Sequence, residues 1–167
     1  MRSLFVAVIT LAVAATPARA EDEAIAKGRP VDKGPLGVGI VLGEPTGICA
    51  RLYLKDDQAI QVAVGSAIFD GGLQVDADYV FHPWILQDRD TFVLPVYVGP
   101  GVRFIEYNDK PSYFAAGIRG VIGMVFDFKN VPLDAFVEVA GVLQYRFADG
   151  KGAGAGLNAG AGVRYYF

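Results

Sequence analysis

From residue 36 onward, large apolar side chains fall on every second position, in eight segments. Leu36, Val38, Ile40 and Leu42 alternate with Gly37, Gly39, Val41 and Gly43. Ile48, Ala50, Leu52 and Leu54 alternate with Cys49, Arg51, Tyr53 and Lys55. Ile60, Val62 and Val64 alternate with Gln61, Ala63 and Gly65, and Leu73 to Phe81 with Gln74, Asp76, Asp78 and Val80. The run from Phe92 to Phe104 interleaves Tyr97, Gly99, Gly101 and Arg103; the run from Phe114 to Phe128 interleaves Ala115, Gly117, Arg119, Gly123 and Asp127. Val137 to Phe147 alternates with Glu138, Ala140, Gln144 and Arg146, and Leu157 to Phe167 with Asn158, Gly160, Gly162, Arg164 and Tyr166. A period of two predicts strands, because successive side chains of a strand face opposite sides.

Turn chemistry separates the segments. Glu44-Pro45-Thr46-Gly47, Asp56-Asp57, Asp70-Gly71-Gly72, Asn108-Asp109-Lys110-Pro111, Lys129-Asn130-Val131-Pro132 and Asp149-Gly150-Lys151-Gly152 all favour tight reversals. The longest break is placed at Pro83 to Asp90. Short connections between consecutive strands predict an antiparallel meander, and eight such strands can close into a barrel without an edge. The predicted fold is all-β: an eight-stranded antiparallel up-and-down transmembrane β-barrel over residues 36–167.

Two arguments turn the apolar face outward. An eight-stranded barrel is just wide enough to be filled by side chains, and the apolar face carries too many large ones to fit. The opposite face is rich in glycine, which suits a narrow lumen shared with Tyr53, Tyr97 and Tyr166. Outward aromatics such as Phe81, Phe92, Phe104, Phe114, Phe128, Tyr145 and Tyr165 fall near segment ends, as in the girdles of membrane barrels. The competing arrangement is a soluble periplasmic barrel with the apolar face inward around a lipid.

The N-terminus changes the compartment. Arg2, the apolar run Leu4 to Ala15, and Ala18-Arg19-Ala20 have the three parts of a cleaved signal peptide over residues 1–20. Residues 21–35 are polar and aperiodic and are expected to form a flexible periplasmic segment. No later apolar run is long and uncharged enough for a transmembrane helix. The expected location is the cell outer membrane.

Composition removes other classes. Hydrophobic residues make up 53% and charged residues 20%, too apolar for a disordered chain. A single Cys and a single His exclude an internal disulfide and a multi-His metal site. A net charge of −3 gives no footprint for nucleic acid. No cofactor and no metal is expected.

The alternation at Val163, Tyr165 and Phe167 resembles the C-terminal strand of bacterial outer-membrane barrels, which the barrel-assembly machinery recognises. The region after Pro35 resembles the small eight-stranded OmpA/OmpX-type barrels. The stretch from Gly37-x-Gly39 to Gly43-Glu44-Pro45-Thr46-Gly47 resembles a family of short bacterial barrel proteins of uncharacterised function. The resemblance implies outer-membrane lipid and the assembly machinery as partners, and no activity.

Candidate chemistry lies on the inward face. Arg51, Arg103, Arg119, Arg146 and Arg164 stand against Asp76, Asp78, Asp127 and Glu138. Buried charges need partners, so a salt-bridged, structural lumen is the leading reading. The alternatives are a narrow channel for small solutes or anions, and a surface-binding protein acting through its outer turns. No enzyme is expected. His82 falls near the opposite end of the barrel from Ser66 and Ser112, leaving no nucleophile–base pair. Asp76 and Asp78 have arginines as nearer partners than a substrate. Cys49 is expected to be an inward filler. The chain is expected to be a monomer.

Overall fold

The computed structural model describes residues 33–67, 71–108, 112–148 and 152–167. Residues 1–20, where a signal peptide is expected, and residues 21–32 of the expected flexible segment lie outside the described residues. The eight periodic segments form eight strands: β1 (Leu36–Gly43), β2 (Thr46–Lys55), β3 (Gln58–Ala67), β4 (Gly72–Asp88), β5 (Phe92–Tyr107), β6 (Tyr113–Phe128), β7 (Leu133–Arg146) and β8 (Gly152–Tyr166). Each pairs antiparallel with its sequence neighbour, and β1 pairs with β8 from Gly37↔Tyr166 to Gly43↔Gly160. The ring is closed where all eight strands run side by side, so no edge is left over that length.

We call the end carrying the β1–β2, β3–β4, β5–β6 and β7–β8 turns the upper end, and the other the lower end. The wall is uneven. β1, β2 and β3 have 8, 10 and 10 residues, whereas β4 to β8 have 14 to 17. The short side is also the one without outward aromatics.

One boundary differs from the sequence reading. The break placed at Pro83–Asp90 is strand: β4 continues to Asp88 and reverses over residues 89–91. β3 begins at Gln58, opposite Phe81, so beyond His82 the strand has only β5 beside it. Pro83, which has no N–H to donate, is tolerated on such an edge. The register with β5 shifts between Phe81 and Trp84 and again between Ile85 and Gln87. These irregularities break the period of two, which is why the segment does not read as strand.

The β1–β2 turn is closed by one side chain. Gly43 N donates to Thr46 Oγ1 at 3.0 Å, and that hydroxyl donates to Gly43 O at 2.9 Å. Gly43 has φ of 131°, a conformation that L side chains rarely adopt.

Alternation now has a measured sense. Val80, Val93, Tyr97, Ala115 and Val125 face inward and are fully buried. Large apolar residues on every strand face outward and are exposed, among them Ile40, Ile48, Ile60, Leu73, Phe104, Ile118, Val139 and Leu157. Inside, glycine makes room for rings. A Cβ on Gly123 would stand 2.4 Å from the Tyr97 ring, and one on Gly162 would stand 2.7 Å from Phe136. Tyr97 is fully buried and has nowhere to retreat. Gly123→Val is therefore expected to cost about 1–3 kcal/mol by overpacking, read as a lower denaturant midpoint. Val at the outward Gly141, where a Cβ meets nothing within 4 Å, is expected to leave the midpoint within about 0.5 kcal/mol of wild type. Equal effects at the two sites would contradict this packing.

Candidate functional site

The inward face of a strand carries every second residue, so the charged set is delivered to the lumen by alternation alone. Arg51, Asp76, Asp78, Arg103, Arg119, Asp127 and Arg164 are buried inside the barrel, and Glu138 and Arg146 are half-buried. They form several clusters along the axis rather than one.

At mid-height, Arg119 of β6 is held by three carboxylates. It donates to Asp76, lies 3.1 Å from Asp78 Oδ1, and donates through Nη2 to Glu138 Oε1 at 3.2 Å. Gln61 donates to Asp78 at 2.9 Å and to Glu138 at 3.1 Å. The Tyr97 hydroxyl donates to Glu138 Oε2 at 2.6 Å. Strands β3, β4, β5, β6 and β7 are thus tied through one knot.

Above it, Arg103 donates to Gln74 Oε1 at 2.9 Å and to Asn158 Oδ1 at 3.1 Å. Glu44 Oε1 lies 3.7 Å from Arg103 Nη2. Gln74 passes the chain down to Asp76 at 2.8 Å.

Below the knot, Arg164 grips Asp134, with Nε and Nη2 both 3.0 Å from carboxylate oxygens, and its guanidinium lies over the Phe136 ring at 4.0 Å. The Tyr166 hydroxyl donates to the same carboxylate at 2.6 Å. Lys33 reaches Asp127 and donates to Leu133 O at 2.6 Å. Arg51 is fully buried, donates to Gln61 Oε1, and stacks over Tyr97 at 4.3 Å.

Asp134, Glu44 and Lys33 were not foreseen as lumen groups. Asp134 had a signal: it keeps phase with Phe136 and Glu138, two and four residues on. Glu44 lies in a turn and Lys33 precedes the first strand, where no period applies.

The other candidates are dispersed. His82 stacks on Tyr53 at 5.5 Å at the lower end, with Nδ1 3.3 Å from Asp57 O. Ser66 pairs with Leu73 near the top of β4, nine residues from His82, or about 30 Å of strand. Ser112 is exposed beside the start of β6, also at the upper end. Cys49 is free and buried. Among the described residues no group of three His, Cys, Asp or Glu is placed to hold a metal ion. Val163, Tyr165 and Phe167 are exposed on the outer face.

One cavity lies at the level of the knot. The cavity bounded by Cys49, Gln61, Asp78, Arg119, Glu138 and Arg164 holds about 20 Å³, room for about one water. No protein family, curated protein or solved structure matches the chain. The closed ring of eight antiparallel strands is compatible with a small barrel, and the functional reading rests on the geometry itself.

Breaking one member of a buried pair strands the other, which costs about 3–5 kcal/mol. Asp134→Asn is expected to lower stability by that order in urea unfolding. Replacing both partners, Asp134→Leu with Arg164→Met, is expected to recover most of the loss. Additive losses in the double variant would show that the pair is not the energetic unit.

Proposed function

We propose that the chain is an integral outer-membrane barrel whose lumen is a structural, ion-paired plug, and that it is exported through its N-terminal signal segment. One observation carries the reading: the inside–outside order is inverted, with arginines and carboxylates in the lumen and large apolar side chains exposed on every strand. A water-soluble monomer rarely exposes contiguous apolar patches beyond a few hundred Å². In a bilayer the same surface faces acyl chains.

Two belts of aromatic pairs support it. Phe114–Phe147 and Tyr145–Phe147 lie toward the upper end, and Tyr79–Phe81, Phe92–Phe126 and Tyr165–Phe167 toward the lower. Phe114 and Phe126 are twelve residues apart on β6, about 30 Å of height at the usual rise and tilt, close to a hydrocarbon core. Apolar grooves on the outer wall, one of about 370 Å³ among Val96, Ile122, Met124, Val137 and Val139, offer seats for acyl chains.

The partners in this reading are outer-membrane lipid and, during insertion, the assembly machinery. The resemblance to OmpA/OmpX-type barrels agrees with it. No catalytic step is part of the proposal.

The first test is a denaturing gel of the membrane fraction, boiled and unboiled. A membrane-retained band that shifts on boiling is expected. Soluble periplasmic protein without a shift would overturn the reading in favour of a lipid carrier. A second test is a charge at mid-wall. Ile122→Lys is expected to destabilise the inserted barrel by about 2–4 kcal/mol, whereas on a water-facing wall it would change stability by less than about 0.5 kcal/mol.

The channel reading makes a different prediction. With the axis crossed at mid-height by the Arg119–Asp76–Asp78–Glu138 knot and a cavity of only about 20 Å³ beside it, purified protein in a planar bilayer is expected to be electrically silent. Steady anion-selective steps that Arg119→Ala alters would make the barrel a pore instead.

A further inference from the structure

The apolar wall is not equally tall all round. On the long side the outward Phe114 and Phe126 of β6 stand about 30 Å apart in height. On the short side the outward row of β1 runs from Leu36 to Leu42, half as many residues, which is about 15 Å at the same rise and tilt. Ile48 to Leu54 on β2 and Ile60 to Val64 on β3 span no more. A hydrocarbon core is about 30 Å thick, so the long side matches it and the short side reaches half-way.

The deficit falls at the upper end. β1 starts level with the lower aromatic belt: Val38 stands opposite Tyr165, and Phe167 N donates to Leu36 O at 3.0 Å. Going up, β1 leaves β8 early. Its last pairings are Gly43 opposite Gly160 and Glu44 N donating to Ala159 O at 2.9 Å. β8 continues above this level from Asn158 to Gly152 with only β7 beside it. Alternate residues of a strand turn their N–H and C=O to opposite edges. Ala159 turns its own to the β1 side, so Leu157, Ala155 and Ala153 present theirs to the open edge. Among the described residues no strand pairs with them there, and Leu157 is 86% exposed, more than any other large apolar side chain described. On the other flank β2 leaves β3 at Thr46, opposite Ser66. A notch in the wall thus stands over the β1–β2 turn.

Two physical constraints meet at this notch. An open strand edge is not tolerated against hydrocarbon, where nothing can satisfy its backbone groups. An apolar wall shorter than the hydrocarbon core is met by thinning of the bilayer. An added strand from another protein would pair with β8 but leave β1, β2 and β3 at half height. Lipid headgroups and water lowered to the level of the turn satisfy both constraints at once.

We propose that the β1–β3 side is a membrane-thinning face. Phospholipid headgroups and water of the upper leaflet descend there to the β1–β2 turn, and phospholipid crosses between the leaflets faster beside this face because the apolar distance is halved. The inference rests on the membrane-inserted reading above and adds an activity to it.

The test uses the purified protein reconstituted in phosphatidylcholine vesicles, with two readouts. The first is a nitroxide spin label on Leu157→Cys or Ile118→Cys, each in a Cys49→Ala background. Ile118 lies on the long side at about the same height: the tilt over two strands, from Ile118 through Leu143 to Ala155, offsets the step down to Leu157. Collisions with a water-soluble nickel complex, relative to those with oxygen, are expected to be at least threefold more frequent at 157 than at 118. The second readout is a fluorescent phosphatidylcholine quenched by external dithionite. Quenching is expected to proceed beyond the outer leaflet's share in vesicles with the protein and to stop there in vesicles without it. Both labels in hydrocarbon would overturn the thinning face. A water-exposed label at 157 with quenching confined to the outer leaflet would overturn the lipid crossing. Water exposure at 118 as well would instead overturn the membrane-inserted reading on which the inference rests.

Discussion

Everything in this barrel depends on keeping charge inside and giving each charged group a partner. A buried ion costs several kcal/mol unless a partner and hydrogen bonds compensate it. Strand pairing alone joins neighbours; the lumen joins strands that are not neighbours. Arg119 of β6 meets Asp76 and Asp78 of β4, Tyr97 of β5 meets Glu138 of β7, and Arg103 of β5 meets Asn158 of β8. A slip of one residue in any strand would exchange its lumen face for its outer face. Arginines would then point outward and isoleucines would crowd the axis. The ion pairs need not add much net stability to specify the register; it is enough that every alternative register leaves charges stranded.

The same constraint explains the glycines. A lumen that holds four buried arginines and several tyrosines at this diameter has no room for side chains at every inward position. Gly37 stands against the Tyr166 ring, Gly123 against Tyr97 and Gly162 against Phe136. Small beside large fills the cylinder, and the tyrosine hydroxyls then reach carboxylates, as Tyr97 does Glu138 and Tyr166 does Asp134. At Gly37, Gly123 and Gly162 the missing side chain is the space a ring occupies.

Strand number, order and facing were legible because they depend on period and turn chemistry, both local. The nine lumen residues named from alternation all lie on the inward face. Their pairing was not legible, since which inward residues meet across the lumen depends on the stagger of the closed sheet, a property of all eight strands together. Arg119 thus meets Asp76 and Asp78 two strands away, and Arg103 lies near Glu44, which belongs to a turn, whereas Arg164 simply faces Asp134 across the β7–β8 ladder and was missed because Asp134 lies at a strand start beyond the first clear apolar repeat. The end of β4 was missed for a different reason. Irregular register with β5 and a proline on an unpaired edge erase the alternation there while the backbone remains extended.

The two ends of the lumen follow from the uneven wall. The lower end is sealed by what the chain itself supplies: Lys33 reaches in to Asp127, and Tyr53, His82, Tyr97 and Tyr166 stand in ring contact with one another or with a shared neighbour. At the upper end, among the described residues, Tyr113 stacks on Tyr107 beside Ala67, Ile105 and Ala115. There β8 presents Gly152, Gly154 and Gly156 inward, and Gln144, which donates to the Tyr107 hydroxyl, keeps Oε1 without a partner. Glycine at a strand end was not required to fit a ring, since a Cβ at Gly156 meets nothing. Unpartnered buried polar atoms occur along the whole lumen, among them Arg51 Nε and His82 Nε2 toward the lower end, Asp76 Oδ1 at mid-height and Asn158 Nδ2 above it, so side chains alone satisfy neither end completely.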